Sequence, residues 1–375
     1  MAARVGVDKW LFFTILILTV VGLVMVFSAS AMVAQERFHS EFAYAGRQAG
    51  WAVAGVLAML ALTRIDSKVY NTPRFIYPAL AVTTILLIAV YFFPDSHNTH
   101  RWIRFGGLFT FQPSELAKPV LVLFLAWFLS KRLDRMRDWR GTLIKAATVP
   151  LILVLLVDRE KDLGTALVLA GVATMMLLLA GMEWKYLALT AAAAAPLLAY
   201  ELLMVQFRLK RMMVFLNPPC DAKDAGGAGY HICQSLIAVG TGGVTGRGYM
   251  EGIQKLFYLP EAWTDFIFAN IAEELGFVGS IVILLLFVVL GVRGLRASFR
   301  CQDPFARLAA FGLTTAILLQ AFFNISVVLS LLPTKGIPLP LISSGGTSVF
   351  VTLASLGVLL SITREVDGAA RVARN

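Results

Sequence analysis

Apolar runs long enough, or nearly so, to cross a hydrocarbon layer recur ten times along the chain. They lie near residues 10–33, 46–63, 75–93, 113–130, 142–157, 163–181, 185–206, 266–291, 306–331 and 343–362. A membrane-spanning helix takes roughly 20 such residues, because lipid offers no partner to a backbone amide or carbonyl and each must be paired within the protein. The pattern predicts an all-α polytopic membrane protein of about ten transmembrane helices. Composition agrees: 58% of the 375 residues are apolar and the mean hydropathy is +0.76, more than a soluble core needs. The fifth run is short and its ends are the least defined.

The gaps between runs carry a second signal. Lys and Arg gather in alternate gaps and at both ends, as in Arg64, Lys68 and Arg74, in Lys131 to Arg140, and in Arg293, Arg296, Arg300 and Arg307. Cytoplasmic loops carry this excess, so both termini are expected inside. The net charge of +10 is then largely topological, with some attraction to anionic membrane lipids, and is poor support for nucleic acid. The first run ends in Ser28-Ala29-Ser30-Ala31, small residues resembling a signal-peptidase site, but it is longer than a signal segment and reads as an uncleaved anchor. Cys220 and Cys233 fall on the expected outer side, where they are candidates for a disulfide, while Cys301 is expected inside as a free thiol.

No polar linker interrupts the helices, so residues 1–375 read as a single domain. Most loops are short. The exception is 207–264, expected as a large extracytoplasmic loop between helices seven and eight. It carries Arg208, Lys210 and Arg211 against the outer charge bias, two glycine-rich clusters, and aromatics such as Tyr230, Tyr249 and Phe257 that argue for order.

Ionisable groups within membrane helices are costly and mark function by default. Arg47-Gln48 open the second helix, and Gln112-Pro113-Ser114-Glu115-Leu116-Ala117-Lys118 the fourth. Pro113 suits the first helical turn and places Glu115 and Lys118 on one face, either as a self-neutralising pair or with Lys118 facing a phosphate. Thr264-Asp265 open the eighth helix, with Glu273-Glu274 two to three turns deeper. Asp265 is either an N-cap or a reactive carboxylate. The two glutamates need partners, for which Lys118, Arg47 and Lys335 are candidates, and Gln320 and Asn324 lie within the ninth helix. A stiff segment, Pro333 to Pro340, leads into Ser343-Ser344-Gly345-Gly346 at the start of the tenth. Exposed amides and hydroxyls there suit a diphosphate; the alternative is capping and close helix packing.

The four histidines have no metal spacing, so no metal site is expected. No nucleotide-binding loop, zinc-protease motif or nucleophile elbow occurs, which weakens ATP-driven transport, redox chemistry, zinc proteolysis and serine hydrolysis.

Taken together, these stretches resemble the SEDS family (shape, elongation, division and sporulation). The resemblance runs through Arg101-Trp102-Ile103, Gln112 to Lys118, Asp162-Leu163-Gly164-Thr165-Ala166, Gln234 to Gly243, Leu259 to Glu274, and Pro333 to Ser348, nearly the whole chain. Pro333-Thr334-Lys335-Gly336 resembles the cell-division branch more than the elongation branch, while Trp263 and Ser344 depart from residues the family often has there.

The resemblance implies a bacterial inner-membrane peptidoglycan glycosyltransferase working at the septum. Its substrate would be lipid II, and its partners a class B penicillin-binding protein and other division proteins. Asp265 matches the family's catalytic carboxylate. Lys118, Arg101, Arg47, Arg208, Arg211, Lys335, Ser343, Gly345 and Gly346 are expected to bind substrate or diphosphate, with Glu115, Gln112, Glu273, Glu274 and Asn324 in support. A magnesium or manganese ion is left open as a sharer of the diphosphate charge; no ligand cluster demands one. The rivals are a lipid flippase, which needs polar groups through the bilayer depth, and a scaffold that only activates its partner.

Overall fold

The structure is a computed structural model and describes residues 7–93, 100–105, 109–203, 209, 212–213, 215–216, 228–333 and 335–372. Each of the ten expected runs coincides with a helix. In chain order the α-helices are α1 Lys9–Phe38, α2 Ala43–Leu62, the short α3 Ser67–Tyr70, α4 Pro73–Ala89, α5 Pro113–Ser130, α6 Ile144–Arg159, α7 Leu163–Leu179, α8 Trp184–Leu203, α9 Ala228–Gly242, α10 Ile267–Arg300, α11 Pro304–Val328 and α12 Gly346–Val372. Among the described residues, eight helices are long and apolar enough to cross a membrane, and α7 is a shorter apolar helix. The chain is a multi-pass, nearly all-helical membrane protein.

Local chemistry sets the helix starts. Pro113 and Pro304 occupy first turns, where a missing N–H costs nothing. Asp162 and Asp303 cap α7 and α11 by accepting from Thr165 N and Ala306 N. α5 forms the centre of the bundle, with 83% of its spanning window buried, and it is apolar nearly all round as a central helix should be. α4, α6, α7, α11 and α12 surround it, while α12 lies along α2 and α1 along α10. A two-stranded antiparallel hairpin, β1 Ile103–Phe105 and β2 Phe109–Phe111, sits at the start of α12, where Thr347 Oγ1 donates to Thr110 O at 2.9 Å.

The described residues of the expected outer loop are not all loop. Within it, α9 packs beside α10, and the following segment descends along α1. Tyr249 Oη donates to Val24 O at 3.2 Å and Lys255 Nζ to Ser28 Oγ at 2.8 Å. These positions lie roughly 21 and 15 Å below the α1 end at Phe38, at about 1.5 Å per residue, so the segment is re-entrant.

α10 breaks where the re-entrant segment meets it. Gly276 has φ 67°, ψ −163°, and a Cβ there would fall 2.2 Å from Gly246 N. The backbone groups freed at the break are bonded by the incoming segment: Phe277 N donates to Gly243 O, Val278 N to Val244 O, Arg247 N to Glu273 O and Gly248 N to Glu274 O. Irregular backbone at membrane depth is tolerated when neighbouring protein satisfies it in this way. Cys233 is disulfide-bonded and Cys301 is free; Cys220 lies outside the described residues.

Candidate active site

Asp265 does not cap α10. The helix begins two residues later, with Phe266 at the cap position and no side-chain cap bond. The half-buried Asp265 packs its carboxylate against Gly336, where a Cβ would come within 2.7 Å of Asp265 Oδ2. A side chain at 336 would press on this carboxylate and have to displace it.

The backbone around this carboxylate is fixed residue by residue. Asn324 Nδ2, from α11, donates to Asp265 O at 2.8 Å and to Ile337 O at 2.7 Å. Ser343 Oγ donates to Thr264 O at 2.6 Å and accepts from Leu339 N at 2.7 Å. Ser344 N donates to Trp263 O at 2.9 Å. Trp263, Thr264 and Asp265 are thus tied in turn to the segment 337–344 or to the helix that holds it.

α2 closes the other side. Gln48 Nε2 donates to Ser343 O at 3.0 Å, and Gln48 Oε1 accepts from Gly345 N at 3.2 Å. Gly346 lies under Trp51, whose Nε1 would sit 2.2 Å from an added Cβ. Ser343, Gly345 and Gly346 therefore assemble at the site, but the Ser343 hydroxyl and the Gly345 amide are spent on internal bonds, and Gly346 serves packing. The local pattern could not show Gln48, which reaches them from nearly 300 residues away. Arg47 is exposed and has no hydrogen bond or ion pair to the described residues. It shares a face of α2 with Tyr44 and Trp51 by helical spacing, and the Tyr44 ring lies 5.5 Å from that of Trp263. The half-buried Lys335 lies beside Gly336 in the same segment.

Lys118 and Glu115 form the expected pair, with Lys118 Nζ 2.8–2.9 Å from both Glu115 oxygens. The third ammonium hydrogen goes to Gln320 Oε1, and Gln320 Nε2 donates to Pro338 O at 2.8 Å. Lys118 is buried and fully occupied, so its link to the site runs through Gln320 into the segment that carries Gly336. Gln112 Nε2 donates to Ser114 Oγ and to Asp162 Oδ2, joining the start of α5 to that of α7. Arg101, just before β1, donates from Nη2 to Lys161 O beside the same junction.

Glu273 and Glu274 do not reach Lys118, Arg47 or Lys335. Their partners come from the re-entrant segment. Lys255 Nζ lies 2.6 Å from Glu274 Oε1, and Ser28 Oγ donates to the same carboxylate at 2.7 Å. Glu273 accepts from the amides of Ile253 and Gln254 and lies 3.9 Å from Arg247 Nε. Lys255 escaped sequence reasoning because nothing in its local pattern shows that its loop descends into the bundle. Arg208 and Arg211 lie outside the described residues. Among the described residues no group of three or more His, Cys, Asp and Glu is placed to hold a metal.

Fold and site together define a multi-pass membrane protein that presents a half-buried carboxylate at one end of its bundle, the main chain at and before it held by α11 and the 337–344 segment. The chain belongs to the FtsW, RodA and SpoVE family of cell cycle proteins, whose model matches residues 9–368. It is 40% identical over 355 residues, 94% of this chain and 93% of the relative, to a probable peptidoglycan glycosyltransferase FtsW of Geobacter metallireducens. A chain from a solved peptidoglycan synthase complex matches with a TM-score of 0.79 at 26% identity, covering 96% of this chain and 98% of that one. The rod shape determining protein RodA of Thermus thermophilus matches with a TM-score of 0.68 at 25% identity, over 96% of this chain and 97% of that one.

Proposed function

We propose that this chain is a peptidoglycan glycosyltransferase that polymerises lipid II into β-1,4-linked glycan at the outer face of the cytoplasmic membrane during cell division. The observation that carries the reading is Asp265: a half-buried carboxylate not used as a helix cap, with its main chain held by Asn324 and its neighbours by Ser343 and Ser344. The names of the relatives support the reaction class, and the 40% identity to a protein named FtsW supports the division branch.

Joining two lipid-linked disaccharides needs one base and stabilisation of the departing diphosphate. Asp265 takes the proton from the acceptor 4-hydroxyl as its oxygen bonds to the donor anomeric carbon. The bond from that carbon to the diphosphate-lipid breaks, with inversion. In this reading Arg47, exposed beside the site, Lys335, next to Gly336, and Arg101 are the cations that meet phosphate, whereas Lys118 acts through Gln320 on the segment that carries Gly336. An open apolar groove between α1 and α2, lined by Leu23, Phe27, Phe42, Ala45, Gly46 and Ala49, suits a polyprenyl tail. A class B penicillin-binding protein is the partner this reading implies, and the septum the place of work. Of the deep charges, Lys255 and Glu274 are paired and Glu273 is bonded to backbone amides, which leaves little of the polar path a flippase requires.

The experiment is polymerisation of labelled lipid II by the purified protein and its Asp265→Asn variant. The variant is expected to insert and fold normally and to make no glycan. Polymer at near wild-type rate would overturn the assignment of the base.

A further inference from the structure

The junction between α6 and α7 holds a carboxyl group that the proposed reaction does not use. Glu160 is 1% exposed, and neither of its oxygens has a hydrogen-bond partner among the described residues. A bare carboxylate so placed is costly, and native proteins pair, protonate or ligate such groups. Beside it stands Arg101, close enough for its charge to act on Glu160. Arg101 Nη2 is bonded to the Lys161 carbonyl, while its Nε is buried and without a partner among the described residues. A donor and an acceptor of complementary charge thus lie near each other, both unsatisfied, and are not bonded together.

The neighbours account for this. Burial, reinforced by the adjacent Asp162 carboxylate, pushes the Glu160 pKa up to about 9, and Arg101 only partly offsets the rise. At neutral pH the group therefore carries its proton. Asp162 is itself engaged, accepting from Thr165 N, Thr165 Oγ1 and Gln112 Nε2. Among the described residues, the other titratable and charged groups near the pair are Lys161, next in sequence, Tyr91, Arg159 and Asp158, and His100, whose ring lies 6.1 Å from that of Tyr91.

We propose that Glu160 is a positioning residue for Arg101: the guanidinium exchanges between the Lys161 carbonyl and the Glu160 carboxylate, and only in the first state is its charge left for the diphosphate of the substrate. This rests on the reading of the site as one that binds a polyprenyl diphosphate. Neutral Glu160 leaves the Arg101 charge uncompensated. Ionised Glu160 captures it through Nε and an Nη, the forked geometry that makes arginine–carboxylate pairs strong.

The test is the affinity of the full-length protein for a polyprenyl diphosphate, measured from about pH 7 to about pH 10, a range that brackets the titration. Lipid II polymerisation is followed in parallel. The wild type is expected to lose roughly tenfold in affinity across this range, a change worth about one pKa unit of interaction. Glu160→Gln, which cannot ionise, should keep its neutral-pH affinity throughout. Arg101→Gln should bind weakly and without pH dependence. Titration of the ligand itself is common to all three proteins and cancels in the comparison. A Glu160→Gln protein that follows the wild-type curve would overturn the proposal, as would a wild type with no pH dependence. If binding behaves as expected but the wild type makes no glycan, the positioning role stands and the polymerase reading fails.

Discussion

Lys255→Met isolates the contribution of the deep ion pair that anchors the re-entrant segment. Lys255 and Glu274 side chains are 4% and 0% exposed, with Lys255 Nζ bonded to Glu274 Oε1 at 2.6 Å and to Ser28 Oγ at 2.8 Å. Methionine preserves length and removes the charge. Glu274 would keep Ser28 Oγ and the Met250 amide but lose its counter-ion, and breaking a buried pair in this way costs about 3–5 kcal/mol. Unfolding entropy of about 2.1 cal/mol/K per residue over 375 residues gives roughly 0.8 kcal/mol/K. A loss of about 4 kcal/mol then lowers the midpoint by roughly 5 °C. The double variant Lys255→Met/Glu274→Gln removes both charges and is expected to recover most of that loss, because a buried pair replaced as a unit is often close to neutral in stability. Thermal unfolding of the purified protein in detergent reads all three proteins. A single variant within about 1 °C of wild type, by the same conversion, or a double variant no better than the single, would refute the assignment of the anchor to this pair.

Two further outcomes follow from the geometry. The folded Glu160 pKa of about 9 lies above its ordinary value of 4.5, so between those values the unfolded chain has released a proton that the native protein retains, and stability falls as pH rises. Glu160→Gln should therefore be indistinguishable from wild type near pH 4.5 and gain on it up to about pH 9, by at most about 6 kcal/mol at 1.36 kcal/mol per unit; a gap independent of pH in thermal unfolding would contradict this. Gly336→Ala puts a methyl group 2.7 Å from Asp265 Oδ2, and displacing a catalytic group by about 1 Å can cost about 100-fold in rate, so lipid II polymerisation should drop steeply while the folded yield is retained.

The helices were legible because lipid forces each span to be continuous and apolar, and the Glu115–Lys118 pair because it is a contact three residues apart on one helix. What the sequence hid was set by distant residues. The break at Gly276 is invisible in an uninterrupted apolar run, since its cause is the backbone of Gly243 to Gly246 packed against it. Lys255 reads as an ordinary loop cation until the loop is seen to reach Ser28. The start of α12 looked like an open anion site because Gln48, which consumes the Gly345 amide, comes from another helix. Asp265 was legible by residue type, but its release from capping depended on the helix starting two residues later, a boundary that pattern does not define.

The placement of the charged groups changes what they imply. Ionisable residues inside a membrane protein are read as functional, yet Lys255 and Glu274 have no contact with the carboxylate proposed to react. Their effect on it passes along the chain. Lys255 is pinned at depth by Glu274 and Ser28, and eight to ten residues later Trp263, Thr264 and Asp265 are pinned at the end of the bundle by Ser344, Ser343 and Asn324. A short segment held at both ends has few conformations left, so the position of Asp265 is set before any substrate arrives. Preorganisation of this kind supplies rate without a contact to the reacting atoms. If Asp265 is the reacting base proposed above, the deep charges act on it as the anchor of a loop, and their removal should lower turnover by loosening Asp265 rather than by weakening diphosphate binding.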